Sequence, residues 1–164
     1  MMCPVAPPER KESYTVRVLI RVFPDGARGN LEKLLGYVLI RNPQFADPKS
    51  ALPGGGARKG ESLLGTAVRE VREETALIIE PAYLEFFGEV LKNPEDNHYN
   101  CGYLADIEWS ECMWMNAFES GNEGEVPFFI TCKQMRSGEL NPPLLESHDT
   151  LLKAFGIDLM TLGE

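Results

Sequence analysis

Positive charge is scarce in this chain. Its 164 residues carry 16 Lys and Arg against 25 Asp and Glu, a formal charge of −9 at pH 7. Such a surface repels a phosphate backbone, which argues against a general nucleic-acid binder and leaves no nucleic-acid duplex among the expected partners. A small phosphate-bearing molecule stays admissible if divalent cations stand between the two negative partners. Long hydrophobic runs are missing as well: no stretch approaches the roughly 20 apolar residues of a membrane span, so no membrane partner is expected. Cysteine is sparse and scattered, at Cys3, Cys101, Cys112 and Cys132, with no C-x-x-C pair. That spacing excludes a zinc site of the usual kind and gives no sign of an oxidising compartment. The first ten residues contain Pro4, Pro7 and Pro8 and lack the basic-then-apolar order of a secretory signal. Reduced thiols and a cytoplasmic location are the default expectations.

What is present is ordinary for one globular domain: 43% hydrophobic, 25% charged and 9% aromatic residues. The expected organisation is a flexible arm over residues 1–12, a domain over 13–158 and a short tail over 159–164. Residues 14–23 alternate as a strand, with Tyr14, Val16, Val18, Ile20 and Val22 on one face and Thr15, Arg17, Leu19 and Arg21 on the other. Further strands are expected over 34–40, 77–80, 84–91, 99–107 and 126–132. Residues 62–75 have the strongest helical pattern, with Ser62 as cap and Leu64, Ala67, Val68 and Val71 recurring at helical spacing. A closing helix is expected over 148–155, capped by Ser147 and stopped by Gly156. Strands outnumber helices and the helices are interspersed, so the class is α+β or α/β with a mixed sheet.

The chemistry concentrates around the first helix. Glu70, Glu73 and Glu74 stand at i, i+3 and i+4, so their carboxylates leave one side and repel one another. Hard oxygen ligands of this kind suit Mg²⁺ or Mn²⁺. On the helix alone, a solvated charged face is the simpler account. The loop ahead of it changes that balance, because Pro53-Gly54-Gly55-Gly56 brings bare backbone to a tight turn that allows close approach of a ligand.

Read as one string, Gly55, Glu61, Arg69, Glu70, Val71, Glu73, Glu74 and Leu77 resemble the box of the Nudix hydrolases, G-x5-E-x7-R-E-U-x-E-E-x-G-U, where U is a bulky aliphatic residue. Eight specified positions match at fixed offsets. Ala76 alone departs, standing where the family has glycine; a left-handed alanine there costs on the order of 1 kcal/mol. The resemblance implies a Nudix fold, an α/β/α sandwich of a mixed sheet between helices. It implies hydrolysis of a nucleoside diphosphate linked to another moiety, a small nucleotide-type substrate, with Mg²⁺ or Mn²⁺ as cofactor. By position, Glu70, Glu73 and Glu74 resemble the metal ligands, joined by a backbone carbonyl of the Gly54-Gly55 turn. Arg69 resembles the arginine that orients them, and Glu61 the supporting acid. A homodimer is compatible with the family.

A general base often comes from a loop beyond the box in this family, which directs attention to Glu123 and Glu125 just before the last strand; a solvated acidic loop explains them equally well. Glu125, at the strand edge, is the better fixed of the two. Arg17 and Arg21 are placed to reach an anionic substrate across the sheet or to pair with surface acids. Arg58, in the loop, has the choice of phosphate or solvent. Ser50 stands where many relatives carry an aromatic residue, which removes a stacking partner there. His98 has the choice of base, substrate contact or surface residue, the last being expected. Trp109, Trp114 and Phe118 have the choice of a nucleobase stack or core cover, the latter being expected. The competing function is a Nudix-fold protein that binds a nucleotide or a partner without catalysis; the intact glutamate set argues against it.

Overall fold

The computed structural model describes residues 13–43, 45–95, 97–115, 118, 120–121 and 123–161. The arm over 1–12, Cys3, Asn122 of the acidic loop and the last three residues of the expected tail lie outside them.

The strand expected from the first alternation is β1, Ser13–Phe23, and it runs through the centre of the sheet. It pairs in parallel with β6, His98–Glu108, from Ser13↔His98 to Phe23↔Glu108. β6 in turn pairs antiparallel with β5, Leu84–Asn93. On its other side, β1 pairs antiparallel with two different segments. Ile20, Arg21 and Val22 face β2, Gly36–Arg41, while Thr15, Val16 and Arg17 face β4, Gly54–Gly56. The far end of β2 pairs with β3, Ser50–Ala51, and its outer edge with β7, Val126–Thr131. β1 and β2 therefore share a ladder at one end and diverge at the other, where the segment carrying β3 and β4 is inserted between them. The result is a mixed seven-stranded sheet.

The alternation along β1 divides the core. Val16, Val18, Ile20 and Val22 pack with Ala67 and Val71 of α1, Leu63–Thr75, on one face. Leu19 and Phe23 pack with Cys132 and Met135 of α2, Cys132–Arg136, and Leu152 of α3, Glu146–Ala154, on the other. This is the expected α/β/α sandwich, each strand face burying its own apolar set.

Four expectations need correction. Residues 77–80 form no strand. Leu77 and Ile79 are buried and Ile78 is 57% exposed, so their alternation reflects packing beneath α1 without a partner strand. The last strand ends at Thr131, because Thr131 and Gln134 form a capping box that starts α2 at Cys132. The closing helix begins at Glu146 after Leu145, so Ser147 lies inside it and caps nothing. Trp109 and Trp114 belong to a 3-10 segment, Trp109–Met115, and remain 49% and 46% exposed; Trp109 meets Phe129 edge-on at 5.1 Å. Cys101, Cys112 and Cys132 are free thiols. Among the described residues, no helix is long and apolar enough to cross a membrane.

Candidate active site

A cleft of about 570 Å³ opens where β1 and β2 diverge. Its walls come from the start of β1, the end of β2, β4, α1, the acidic loop before β7 and the first turn of α3. Local sequence sets the position of α1. Ser62 accepts the Gly65 N–H at 2.9 Å, and the Glu61 carboxylate accepts the Arg58 N–H at 3.1 Å and the Thr66 hydroxyl at 2.7 Å. At the other end Ala76 takes the left-handed conformation, φ 67°, and its N–H returns to the Arg72 carbonyl. Alanine therefore occupies the geometry that the family fills with glycine.

Arg69 joins the acids of the box. Its Nε and Nη2 donate to Glu61 at 2.8 and 3.0 Å, and Nη1 donates to Glu70 at 2.7 Å and to Glu73 at 3.2 Å. Nη2 also donates to the Gly56 carbonyl at 3.1 Å. The hydrogen bonds from Arg69 and Thr66 hold the Glu61 carboxyl down at about 2, far below the usual glutamate range. Glu70 lies against Gly55, and a Cβ at that glycine would sit 2.5 Å from its carboxylate oxygen. Close approach of backbone and carboxylate therefore requires glycine at this position. Glu73 is the outermost of the three, with Arg58 at 3.7 Å on the exposed rim.

Glu74 is the innermost, 6% exposed, and accepts the Gly54 N–H at 2.7 Å. Burial raises its pKa to about 8, the Gly54 hydrogen bond opposing and the neighbouring Glu70 and Glu125 charges adding to the rise. Glu125 and Glu123 both line the cleft. The Glu125 carboxylate accepts the Glu123 N–H at 3.2 Å, and Gly121 leaves the space it occupies: a Cβ there would run into Oε2. The Asn42 side chain donates to the Glu123 carbonyl at 2.7 Å, tying the acidic loop to the end of β2.

Arg17 projects into the cleft from β1, its Nε buried and without a hydrogen-bond partner among the described residues. Burial lowers its pKa, and the charges of Glu74 and Glu70 oppose that shift. A guanidinium so placed is open to an anionic ligand. Arg21, its neighbour on the same strand face, is committed elsewhere: it forms a two-pronged pair with Asp106 at 2.6 and 3.0 Å. His98 lies outside the cleft, between the Ser13 and Thr15 hydroxyls at 2.5 and 2.7 Å.

The structure thus brings together Arg17, Gly55, Arg58, Arg69, Glu70, Glu73, Glu74, Glu123 and Glu125. Among the described residues, no three His, Cys, Asp or Glu side chains stand ready-grouped around one metal position. The donor set nevertheless fits a hard divalent cation: several carboxylates share one cleft, and one of them is driven towards its neutral form by burial and its neighbours.

The cleft also holds residues that sequence reasoning missed. Phe45, 64% exposed, and Lys49 come from the connection between β2 and β3. An aromatic residue in an otherwise polar loop was the available signal. His148, 2% exposed, comes from α3, and its Nδ1 accepts the Leu52 N–H at 3.0 Å. No local motif marks it, since its place at the cleft depends on how α3 docks.

Comparison with known proteins agrees with this architecture. A model of the NUDIX domain matches residues 14–154. No curated protein matches the chain. Among solved structures, a mutT/nudix family protein from Listeria innocua is 24% identical with a TM-score of 0.57, covering 92% of this chain and 94% of that one. A MutT/nudix family protein from Enterococcus faecalis is 22% identical with a TM-score of 0.53, covering 77% of this chain and 46% of that one. The MERS1–GDP complex from T. brucei is 12% identical with a TM-score of 0.52, covering 77% of this chain and 51% of that one. This chain thus spans about half the length of the latter two, and at these identities the likeness is one of fold. With the domain model matched from β1 to the last residue of α3, the chain belongs to the Nudix family.

Proposed function

We propose that this protein hydrolyses a pyrophosphate linkage in a nucleoside diphosphate joined to another group, such as a nucleoside triphosphate or an ADP-ribose-like molecule, with Mg²⁺ or Mn²⁺. The observation that carries this reading is the meeting of Glu70, Glu73, Glu74 and Glu125 in one cleft with Arg17, whose buried Nε has no hydrogen-bond partner among the described residues. Glu70, Glu73 and Glu74, with a backbone carbonyl of the Gly54-Gly55 turn, would hold the cation. Bound there, a divalent ion cancels phosphate charge and polarises the linkage towards attack by water.

The chain's own residues supply the rest. Arg17 donates to a phosphoryl oxygen inside the cleft, and Arg58 meets the substrate's outer charge at the rim. Arg69 keeps the box carboxylates oriented through its pairs with Glu61, Glu70 and Glu73. Glu125 takes a proton from the attacking water as the new P–O bond forms and the bond to the departing phosphate oxygen breaks. Its carboxylate is better placed for this than that of Glu123, because the Glu123 N–H and the space left by Gly121 fix it, and its charge acts on Glu74.

The test is a panel of nucleoside triphosphates and dinucleotides with Mg²⁺ or Mn²⁺, scored for released phosphate, pyrophosphate or nucleoside monophosphate. Turnover of at least one compound is expected, and Glu73→Gln should lower it about a hundredfold or more while thermal unfolding stays close to wild type. Release from no compound would favour a nucleotide binder without catalysis. Undiminished turnover in the Gln variant would remove Glu73 from the metal set.

A further inference from the structure

We propose that His148 and Arg17 form a second recognition point in the cleft, where the imidazole Nε2–H and the guanidinium together take an oxygen of the phosphoryl group next to the one held at the carboxylates. The inference rests on the nucleotide-hydrolase reading and goes beyond it, adding a substrate-positioning residue from the C-terminal helix.

The tautomer follows from one hydrogen bond. The Leu52 N–H can only donate, so the Nδ1 that receives it at 3.0 Å is unprotonated, and the proton of the neutral ring sits on Nε2. His148 lines the cleft, and Nε2 has no partner among the described residues. The side chain is 2% exposed, so the ring cannot turn its donor to bulk water without breaking the Leu52 contact. Nε2 is not among the fully buried unpartnered atoms, so it keeps an opening onto the cleft and offers its proton to a ligand acceptor there.

Position supplies the second argument. His148 accepts the N–H of Leu52, and Glu74 accepts the N–H of Gly54. Those two amides lie two residues apart, at most about 7 Å along the chain. A donor from α3 and the innermost carboxylate of α1 thus flank one short segment, with Arg17 acting electrostatically on both. That spacing suits adjacent groups of one small polyphosphate-bearing molecule. Burial first, then the charges of Arg17 and Lys92, hold the imidazole's pKa down at about 3, so it stays a neutral donor across the working pH range.

Two amide variants separate recognition from folding. In His148→Asn the side-chain oxygen reaches the Nδ1 position and keeps the Leu52 bond, but the donor into the cleft is lost. In His148→Gln the amide nitrogen reaches the Nε2 position and the Leu52 bond is lost. The Asn variant is expected to unfold near the wild-type temperature, with KM raised about tenfold, kcat nearly unchanged and ADP binding by calorimetry in Mg²⁺ weakened equally. The Gln variant is expected to recover much of the KM while losing stability. Unchanged KM and ADP affinity in the Asn variant, or effects in both variants that track stability alone, would overturn the proposal. Absence of ADP binding by the wild type would overturn it as well. If the wild type binds ADP but hydrolyses nothing in the nucleotide panel, the hydrolase reading fails, while the calorimetric comparison still decides the role of His148.

Discussion

The innermost carboxylate makes a prediction that needs no substrate. Glu74 titrates near pH 8 in the folded protein against an ordinary value of 4.5. The folded state therefore holds this proton more tightly than the unfolded chain, and its contribution to stability must fall as pH rises between those two values. Between pH 6.5 and 8 the loss is about 1.6 kcal/mol, or about 3–6 °C in unfolding temperature for a domain of this size. Other shifted groups leave this window nearly clear. Glu61, held down at about 2, contributes stability above 4.5 that stays constant here and is lost only as pH falls towards 2. His148, held down at about 3 against 6.5, penalises the folded state as pH falls through 6.5, so its relief between pH 6.5 and 8 offsets about 0.4 kcal/mol of the Glu74 loss. The buried thiols Cys101 and Cys112, pushed up to about 12 and 11, add a loss only near and above pH 9. Metal-free stability should accordingly be greatest near pH 5.5, where the gain from His148 and the loss from Glu74 cancel, and fall from about pH 6.5 upward. Thermal melts in EDTA at half-unit steps from pH 5.5 to 8.5 measure it, with Glu74→Gln as comparison, because glutamine keeps an acceptor for the Gly54 N–H and cannot ionise. The variant should show only the His148 relief of about 0.4 kcal/mol from pH 6.5 to 8, and be more stable than wild type at the upper end. A wild-type profile that is flat or rising there, or a Gln variant with the same slope, would refute the assignment of burial and neighbouring charge as the cause.

The backbone makes two further predictions. Ala76→Gly, at φ 67°, should raise stability by about 1 kcal/mol and leave kcat unchanged; a melting temperature equal to or below wild type would show that the helix end relaxes without strain. Gly121→Ala puts a methyl group where the Glu125 carboxylate lies, so kcat should fall about tenfold or more with little change in KM, and unaltered kcat would separate Glu125 from the chemistry.

Much of this site could be read from local spacing because its main element is local. Three glutamates and an arginine on one helix share a face wherever that helix packs, and Ser62 and Ala76 mark its ends in the sequence. The alternation along β1 likewise determined its two buried faces. Local pattern misled where an element's state depended on a distant partner. Leu77 and Ile79 alternate like a strand but have no strand to pair with among the described residues; for Arg21 the sequence left substrate and acid both open, and β6 decided it by bringing Asp106 alongside.

By itself, then, the sequence determined the acidic box and its glycine turn, since these depend on helical periodicity and backbone freedom over some twenty residues, and the class of chemistry is what the resemblance of that box implies. Only the tertiary structure decided which carboxylate is buried, that the Arg17 Nε has no hydrogen-bond partner among the described residues and that Glu125 lines the same cleft as Glu74. It alone brought His148 from the far end of the chain to the same cleft. Burial and pairing are properties of neighbours, and here those neighbours are supplied by the divergence of β1 and β2 and by the docking of α3 across the sheet.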